Sequence, residues 1–247
     1  MESAMKILSR DVIKYFAMLT MLLNHIANVF LTPGTLLYEF FLNIGYFTAV
    51  TMCYFLVEGY GYTHSRREYA RRLLVFAGVS QIPYSMAFAG DSWIEFSGFN
   101  MIFTLFLCFL LICILEQEKV RTMRVLGITV IFMICVFCDW SVLAPAFTVL
   151  FVWAKDSERK KRTAFLTAMV LFGGMIFLGG IGRISIAMNL MYAVFGMLGV
   201  GLSGIVILYF YNGRRMEKGR KFSKWFFYWF YPVHLLVIGI VRIMVIM

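Results

Sequence analysis

The chain has 247 residues, of which 62% are hydrophobic and only 15% charged, with a net charge of +10. A water-soluble domain of this size carries about 25% charged and about 45–50% apolar residues, so a soluble globular fold is excluded. Nucleic-acid binding is excluded as the reason for the positive charge, because the basic residues sit in short loops between long apolar runs.

Those runs are long enough to cross about 30 Å of hydrocarbon as helices. Helix is the default there, because lipid offers no partner to a free backbone N–H or C=O. The alternating segments of about ten residues that a membrane β-barrel needs are not visible. The expected fold is all-α, a polytopic transmembrane helical bundle of about nine spans, forming a single integral membrane domain over residues 1–247. In chain order the spans are predicted at 13–31, 38–58, 72–89, 99–116, 123–138, 141–154, 164–181, 188–211 and 225–246. The first apolar stretch is too long for a signal-peptide core and is read as a permanent span. The sixth is short and contains Pro145.

Polar residues at membrane depth are expensive, so each is a candidate for function. In the first span Thr20, Asn24 and Asn28 recur every four residues and form a stripe, with His25 beside it. Histidine exchanges a proton near neutral pH and suits a general base. In the second span Thr51, Tyr54 and Glu58 share one face. Glu58 either orients an imidazole or pairs with the basic segment Arg66, Arg67, Arg71 and Arg72. The third span ends in Ser80-Gln81-Ile82-Pro83-Tyr84, where Pro83 removes a backbone donor and bends the helix. Ser80, Gln81 and Tyr84 either line a cavity at that bend or form a hydrogen-bond cluster. The pair Cys135 and Cys138 has C-x-x-C spacing, but inside an apolar run small-residue packing is the expected role. Glycines crowd the seventh and eighth spans, which points to close helix packing. The ninth span opens with an aromatic run from Trp225 to Tyr231. There Tyr228, Tyr231 and His234 share a face. His64 lies in a loop and is expected to be solvated.

The loops fix the topology. On one side of the nine-span arrangement lie 21 of the 23 basic residues, leaving only Arg183 and Arg242 on the other. Positive charge marks the cytoplasmic side. The chain is therefore expected in the cell membrane, multi-pass, with its N-terminus cytoplasmic and its C-terminus extracytoplasmic. The cytoplasmic loops can hold an anionic cofactor such as coenzyme A, although anionic lipid headgroups attract the same charges.

The order of motifs resembles the TraX family. The resemblance rests on Met21-Leu22-Leu23-Asn24-His25-Ile26-Ala27, Ile44-Gly45, Phe55-Leu56-Val57-Glu58-Gly59-Tyr60 with Thr63 and Arg66, Tyr69, Arg72-Leu73-Leu74, Ser80-Gln81-Ile82-Pro83-Tyr84 and Ala87-Phe88. Asn100 to Thr104 and the pair Asp139-Trp140 fit more loosely. The close similarity covers residues 13–106. Family members are polytopic proteins associated with acetylation of the pilin N-terminus. The resemblance implies a membrane acyltransferase that uses acetyl-coenzyme A as acyl donor. The family's Asp-His pair falls on Asn24-His25, with asparagine in place of the carboxylate. Gly45-Tyr46 and Val50 also depart from the family pattern.

The expected mechanism follows from combining these readings. His25 removes the acceptor's proton, with Glu58 or His234 orienting it. Asn24, Tyr54 or Gln81 holds the developing oxyanion. Asn28, Thr51, Tyr84 and Tyr231 complete the acceptor-binding set, and Arg66, Arg67, Arg71 and Arg72 hold the donor's phosphates. No metal is expected. The expected partners are the lipid bilayer and an acyl acceptor, an amine or hydroxyl on a surface peptide, a pilin-like protein or a glycan. The alternatives are a small transporter or permease and a non-catalytic assembly factor for surface structures. No internal repeat is visible, which counts against a secondary transporter.

Overall fold

In the computed structural model, residues 6–246 are described. Nine α-helices run through them: α1 (Arg10–Phe30), α2 (Leu36–Tyr62), α3 (Arg66–Ala87), α4 (Met101–Gln117), α5 (Arg121–Cys135), α6 (Leu143–Ala154), α7 (Glu158–Gly180), α8 (Ile186–Ile205) and α9 (Arg220–Ile246). A π-helical turn, Val206–Phe210, extends α8. Each helix falls on one of the nine apolar runs. Short polar residues start several of them. Ser9, Ser65, Asn100, Ser157 and Ser185 each accept a hydrogen bond from a backbone N–H of the first helical turn, satisfying donors the helix cannot pair internally. Among the described residues, β-type pairing is confined to two isolated bridges, Leu8 with Tyr211 and Phe99 with Cys138.

Five helices are long and apolar enough to cross a bilayer: α1, α2, α7, α8 with its π-turn, and α9. The helices α4 and α6 are apolar but shorter, at 17 and 12 residues. At 1.5 Å per residue, α6 is about 18 Å long. Large apolar side chains face outward at helical spacing, as with Leu190, Val194, Leu198 and Leu202 on α8 and Val233, Val237 and Val241 on α9. Stripes of this size would drive aggregation in water. Against lipid tails they are the solvent-facing surface.

The chain forms two compact units. The first joins α1 and the first part of α2 to α7 and α8. Here α1 and α2 make an antiparallel hairpin. The Thr48 hydroxyl donates to the Ala17 carbonyl at 2.7 Å and shares a 2.9 Å contact with the Thr20 hydroxyl. The Asn24 amide donates to the Leu42 carbonyl at 2.9 Å. Gly45 lets the two backbones approach, since a methyl group there would collide with Asn24. Farther along, α8 seats on α2 through Gly199, whose missing side chain accommodates the Asn43 carbonyl. Above that contact the buried hydroxyls of Thr51 and Ser203 pair at 2.8 Å. Gly196 and Gly204 serve the α7–α8 packing in the same way, against Phe172, Ile176 and Phe165. Close packing holds for these glycines, whereas Gly174 and Gly179 face open space. The start of α1 is pinned to the segment after α8. The buried Asp11 carboxylate accepts the Met216 N–H at 2.8 Å and faces Arg215.

The second unit joins the rest of α2 to α3, α4, α5, most of α6, and α9. Leu107 and Leu111 of α4 pack against Ile131 and Cys135 of α5, and Cys138 completes this core. Both cysteines of the C-x-x-C pair are therefore buried packing residues. On α9, the buried Arg242 donates to the carbonyls of Met86, Gly90 and Ser92. One guanidinium thus holds the end of α3 and the loop that follows it.

Candidate functional site

The candidate residues divide between the two units. His25, Asn24, Asn28 and Thr51 lie in the first. His25 is buried, 7% exposed, in the middle of α1. Its neighbour Asn24 staples α1 to α2, and Asn28 donates to the Asn24 carbonyl at 2.8 Å and to its side-chain oxygen at 3.0 Å. The polar stripe of α1 therefore faces α2, and its hydroxyl and amide groups are bonded to that helix or to one another. Thr51 is fully buried against Ser203.

The second unit holds Tyr54, Glu58, the four arginines, Gln81, Tyr84, Tyr231 and His234. Tyr54 packs edge-on against Phe55 and Phe151, with ring centroids 5.5 Å apart in both pairs. Glu58 is half-buried near the end of α2. Four residues beyond the end of that helix, at the start of α3, the chain becomes strongly basic. Arg66 stacks over the Tyr60 ring at 4.6 Å, and the Tyr60 hydroxyl accepts from Gln117 at 2.8 Å. Arg71 pairs with Glu68 on an exposed surface. Arg72 lies over the Tyr69 ring at 5.7 Å and interacts with the Tyr228 hydroxyl. Its Nε is buried without a hydrogen-bond partner. His64 is exposed in the turn before α3, as expected.

At the opposite end of α3 several candidates come together around the start of α4. The Gln81 amide donates to the Gly98 carbonyl at 2.9 Å, and its oxygen accepts from the Asn100 side chain at 2.8 Å. Asn100 is fully buried, caps α4 through the Ile102 and Phe103 N–H groups, and donates to the Ala77 carbonyl at 2.8 Å. Gln81 thus fastens the α3–α4 junction. The next backbone N–H, that of Met101, donates to the Tyr231 hydroxyl of α9 at 3.2 Å. Tyr231 packs edge-on against His234 at 5.6 Å, and His234 Nδ1 lies 2.7 Å from the Phe230 carbonyl. Asp139, in the loop between α5 and α6, lies within electrostatic reach of both Tyr84 and Tyr231. Burial raises its carboxyl to about 6 against a favourable backbone hydrogen bond from Trp140. Gln81, Tyr84, Tyr231 and His234, named separately from two motifs, therefore belong to one polar cluster.

Asn100, Asp139 and Arg242 were not assigned roles from sequence. Asn100 carries the one local signal that could have found it, a short amide directly before an apolar helix. Asp139 and Arg242 act through partners far away in the chain, which periodicity does not reveal.

Several apolar helices long enough to cross a bilayer, outward apolar faces and buried polar clusters define a polytopic integral membrane protein. The family model described as TraX protein matches residues 9–242. The chain belongs to the TraX family. It is 28% identical over 237 residues to the "Probable fimbrial assembly protein FimC, serogroup H1" of Dichelobacter nodosus, covering 90% of this chain and 91% of that protein. No solved structure matches the chain.

Proposed function

We propose that this protein is a membrane acyltransferase that moves an acetyl group from acetyl-coenzyme A to an amine or hydroxyl of a surface acceptor during assembly of a fimbria or a related structure. The observation that carries this reading is family membership across nearly the whole chain. The printed name of the Dichelobacter relative supports the link to fimbrial assembly. The topology in this reading has nine spans, with the N-terminus in the cytoplasm and the C-terminus outside. The match of nine helices to nine apolar runs supports the count, and the placement of the basic residues supports the orientation.

In chemical terms the acceptor's nitrogen or oxygen bonds to the thioester carbonyl carbon. The carbon–sulfur bond breaks, and coenzyme A leaves as the thiol. His25 is the proposed general base, because a buried imidazole can take the acceptor's proton and return it. Arg66, Arg67, Arg71 and Arg72 are the proposed phosphate ligands. Arginine suits that role through its fork of donors, and Arg72 retains a buried Nε with no partner. Among the residues expected to hold the oxyanion, Asn24 and Gln81 already donate to the Leu42 and Gly98 carbonyls.

The test is ligand binding by the purified protein. Saturating acetyl-coenzyme A is expected to raise the thermal midpoint, because a ligand that binds only the folded state stabilises it. The effect should weaken with salt as the phosphate–arginine attraction is screened. In cells, removing the gene should remove a two-carbon acyl group from one surface peptide or glycan, read by mass spectrometry. No shift with any acyl-coenzyme A, and no lost acetyl group, would replace this reading with a non-catalytic assembly factor or a transporter.

A further inference from the structure

The segment between α3 and α4 turns its polar groups inward and its apolar side chains outward. Arg242 of α9 donates to the carbonyls of Met86, Gly90 and Ser92. Glu95 folds back on the same turn. Its carboxylate accepts the Gly90 N–H at 2.9 Å, and its own N–H donates to the Ser85 carbonyl at 3.2 Å. The Ser97 hydroxyl donates to the Phe88 carbonyl at 3.0 Å. At the end of the segment Gln81 donates to the Gly98 carbonyl, and the Phe99 N–H donates to the Phe137 carbonyl, both at 2.9 Å. Left facing outward are Trp93, Ile94 and Phe96, which are 67%, 53% and 63% exposed.

This apolar surface is not an island. Phe96 meets Phe99 edge-on at 5.3 Å, Phe99 lies 4.7 Å from Phe103, and Phe103 lies 6.0 Å from Phe106, so an aromatic row runs from the loop along α4. To one side, Val75, Val79 and Ile82 are exposed at helical spacing on α3. To the other, Val130 and Met133 on α5 and Phe137 just beyond it are exposed in the same way. A docking patch for another protein is typically rimmed by polar residues. Here the patch is continuous with helix faces that lipid covers. Backbone groups without partners are excluded from lipid, and in this loop the groups named above are bonded within the protein.

We propose that residues 91–97 form an interfacial anchor, with Trp93, Ile94 and Phe96 inserted into the bilayer leaflet on which α3 ends. In the nine-span topology that is the outer leaflet. Apolar contact drives the insertion. The partner is the boundary between lipid headgroups and acyl chains, where an indole keeps its ring in the apolar layer and its N–H at the hydrated edge. Arg242 is the clamp that presents the three side chains. Gln81 links the loop to Asn100, so the anchor also sets the depth of the α3–α4 junction. None of this depends on acyl transfer.

The experiment uses the full-length protein in phosphatidylcholine vesicles, and reads Trp93 as the fluorescence difference between wild type and Trp93→Phe. Lipid brominated near the headgroup end of its chains should quench the Trp93 share more than lipid brominated near the chain ends. Aqueous iodide should quench it roughly threefold less than free tryptophan, as expected of an interfacial indole. Replacing part of the lipid with anionic phosphatidylglycerol should change neither result, because the contact is apolar. Arg242→Gln should raise iodide quenching several-fold by releasing the loop. If that variant does not fold, Ile94→Ser/Phe96→Ser decides, since both positions are exposed and the pair should weaken lipid quenching of Trp93 several-fold. Trp93 as open to iodide as free tryptophan overturns the proposal. So does Trp93 shielded from iodide yet unquenched by any brominated lipid, which would mean that protein covers the loop. A requirement for anionic lipid also overturns it. Lipid quenching combined with labelling of Asp91→Cys from the cytoplasm would support the anchor and overturn the nine-span topology instead.

Discussion

His25 and His234 are equally buried, at 7% exposure each, yet they stand in different company. His25 follows the asparagine that ties α1 to α2, within the motif that carries the family resemblance. His234 stacks on Phe230 at 4.8 Å and lies 2.7 Å from the Phe230 carbonyl, which gives it a packing role. If His25 is the general base, His25→Ala should lower acyl transfer by about 10²–10⁴-fold, the usual contribution of a positioned base. The thermal midpoint and acetyl-coenzyme A binding should stay near wild type. His234→Ala should do less, and exposed His64→Ala almost nothing. A folded, fully active His25→Ala protein would move the chemistry to another helix. At this scale the sequence revealed which residues are polar at depth, because hydropathy makes them stand out. It did not reveal that the amides of Asn24 and Gln81 serve as helix staples, because their partners are the backbone carbonyls of Leu42 and Gly98. A carbonyl acceptor leaves no mark in the side-chain pattern.

The α2–α8 contact shows how an element depends on what is missing from it. A side chain at Gly199 would meet the Asn43 carbonyl and the Tyr46 Cβ, both parts of a packed helix that cannot move aside cheaply. Gly199→Ala should therefore cost about 1–3 kcal/mol, as overpacking usually does. Gly174→Ala, facing open space in the middle of α7, should be neutral or gain up to about 1 kcal/mol from helix propensity. Thermal unfolding of the two variants in the same detergent tests the pair, and equal effects would contradict the packing account. The positions of all nine helices were legible because each is a continuous apolar run ended by polar, proline or glycine residues. The division of glycines into contacting and free ones was not, since a glycine-rich stretch looks the same whichever face meets a neighbour. The π-turn after α8 was equally invisible, being an irregularity in hydrogen bonding and not in hydropathy.

The whole molecule is defined by its orientation in the bilayer, which side-selective labelling can read. Single cysteines placed in 62–70, 117–123, 155–163 and 212–224 should react only from the cytoplasm. Cysteines in 32–37 and 90–98 should react only from outside, together with the C-terminus. A cytoplasmic C-terminus would sink the nine-span count. The weak point is α6, whose length of about 18 Å falls short of about 30 Å of hydrocarbon.

The unit that contains Asp139 is not continuous in the chain. It uses Cys53–Val152 and then Lys221–Met247, with about 70 residues of the other unit made in between. At a ribosomal rate of about 5–20 residues per second, α3 to α6 wait several seconds for α9. During that interval the Met101 N–H lacks its Tyr231 partner, the carbonyls of Met86, Gly90 and Ser92 lack Arg242, and Phe76 lacks its stack with Tyr228 at 4.8 Å. The unit that holds Asp139 is therefore complete only once α9 has been made.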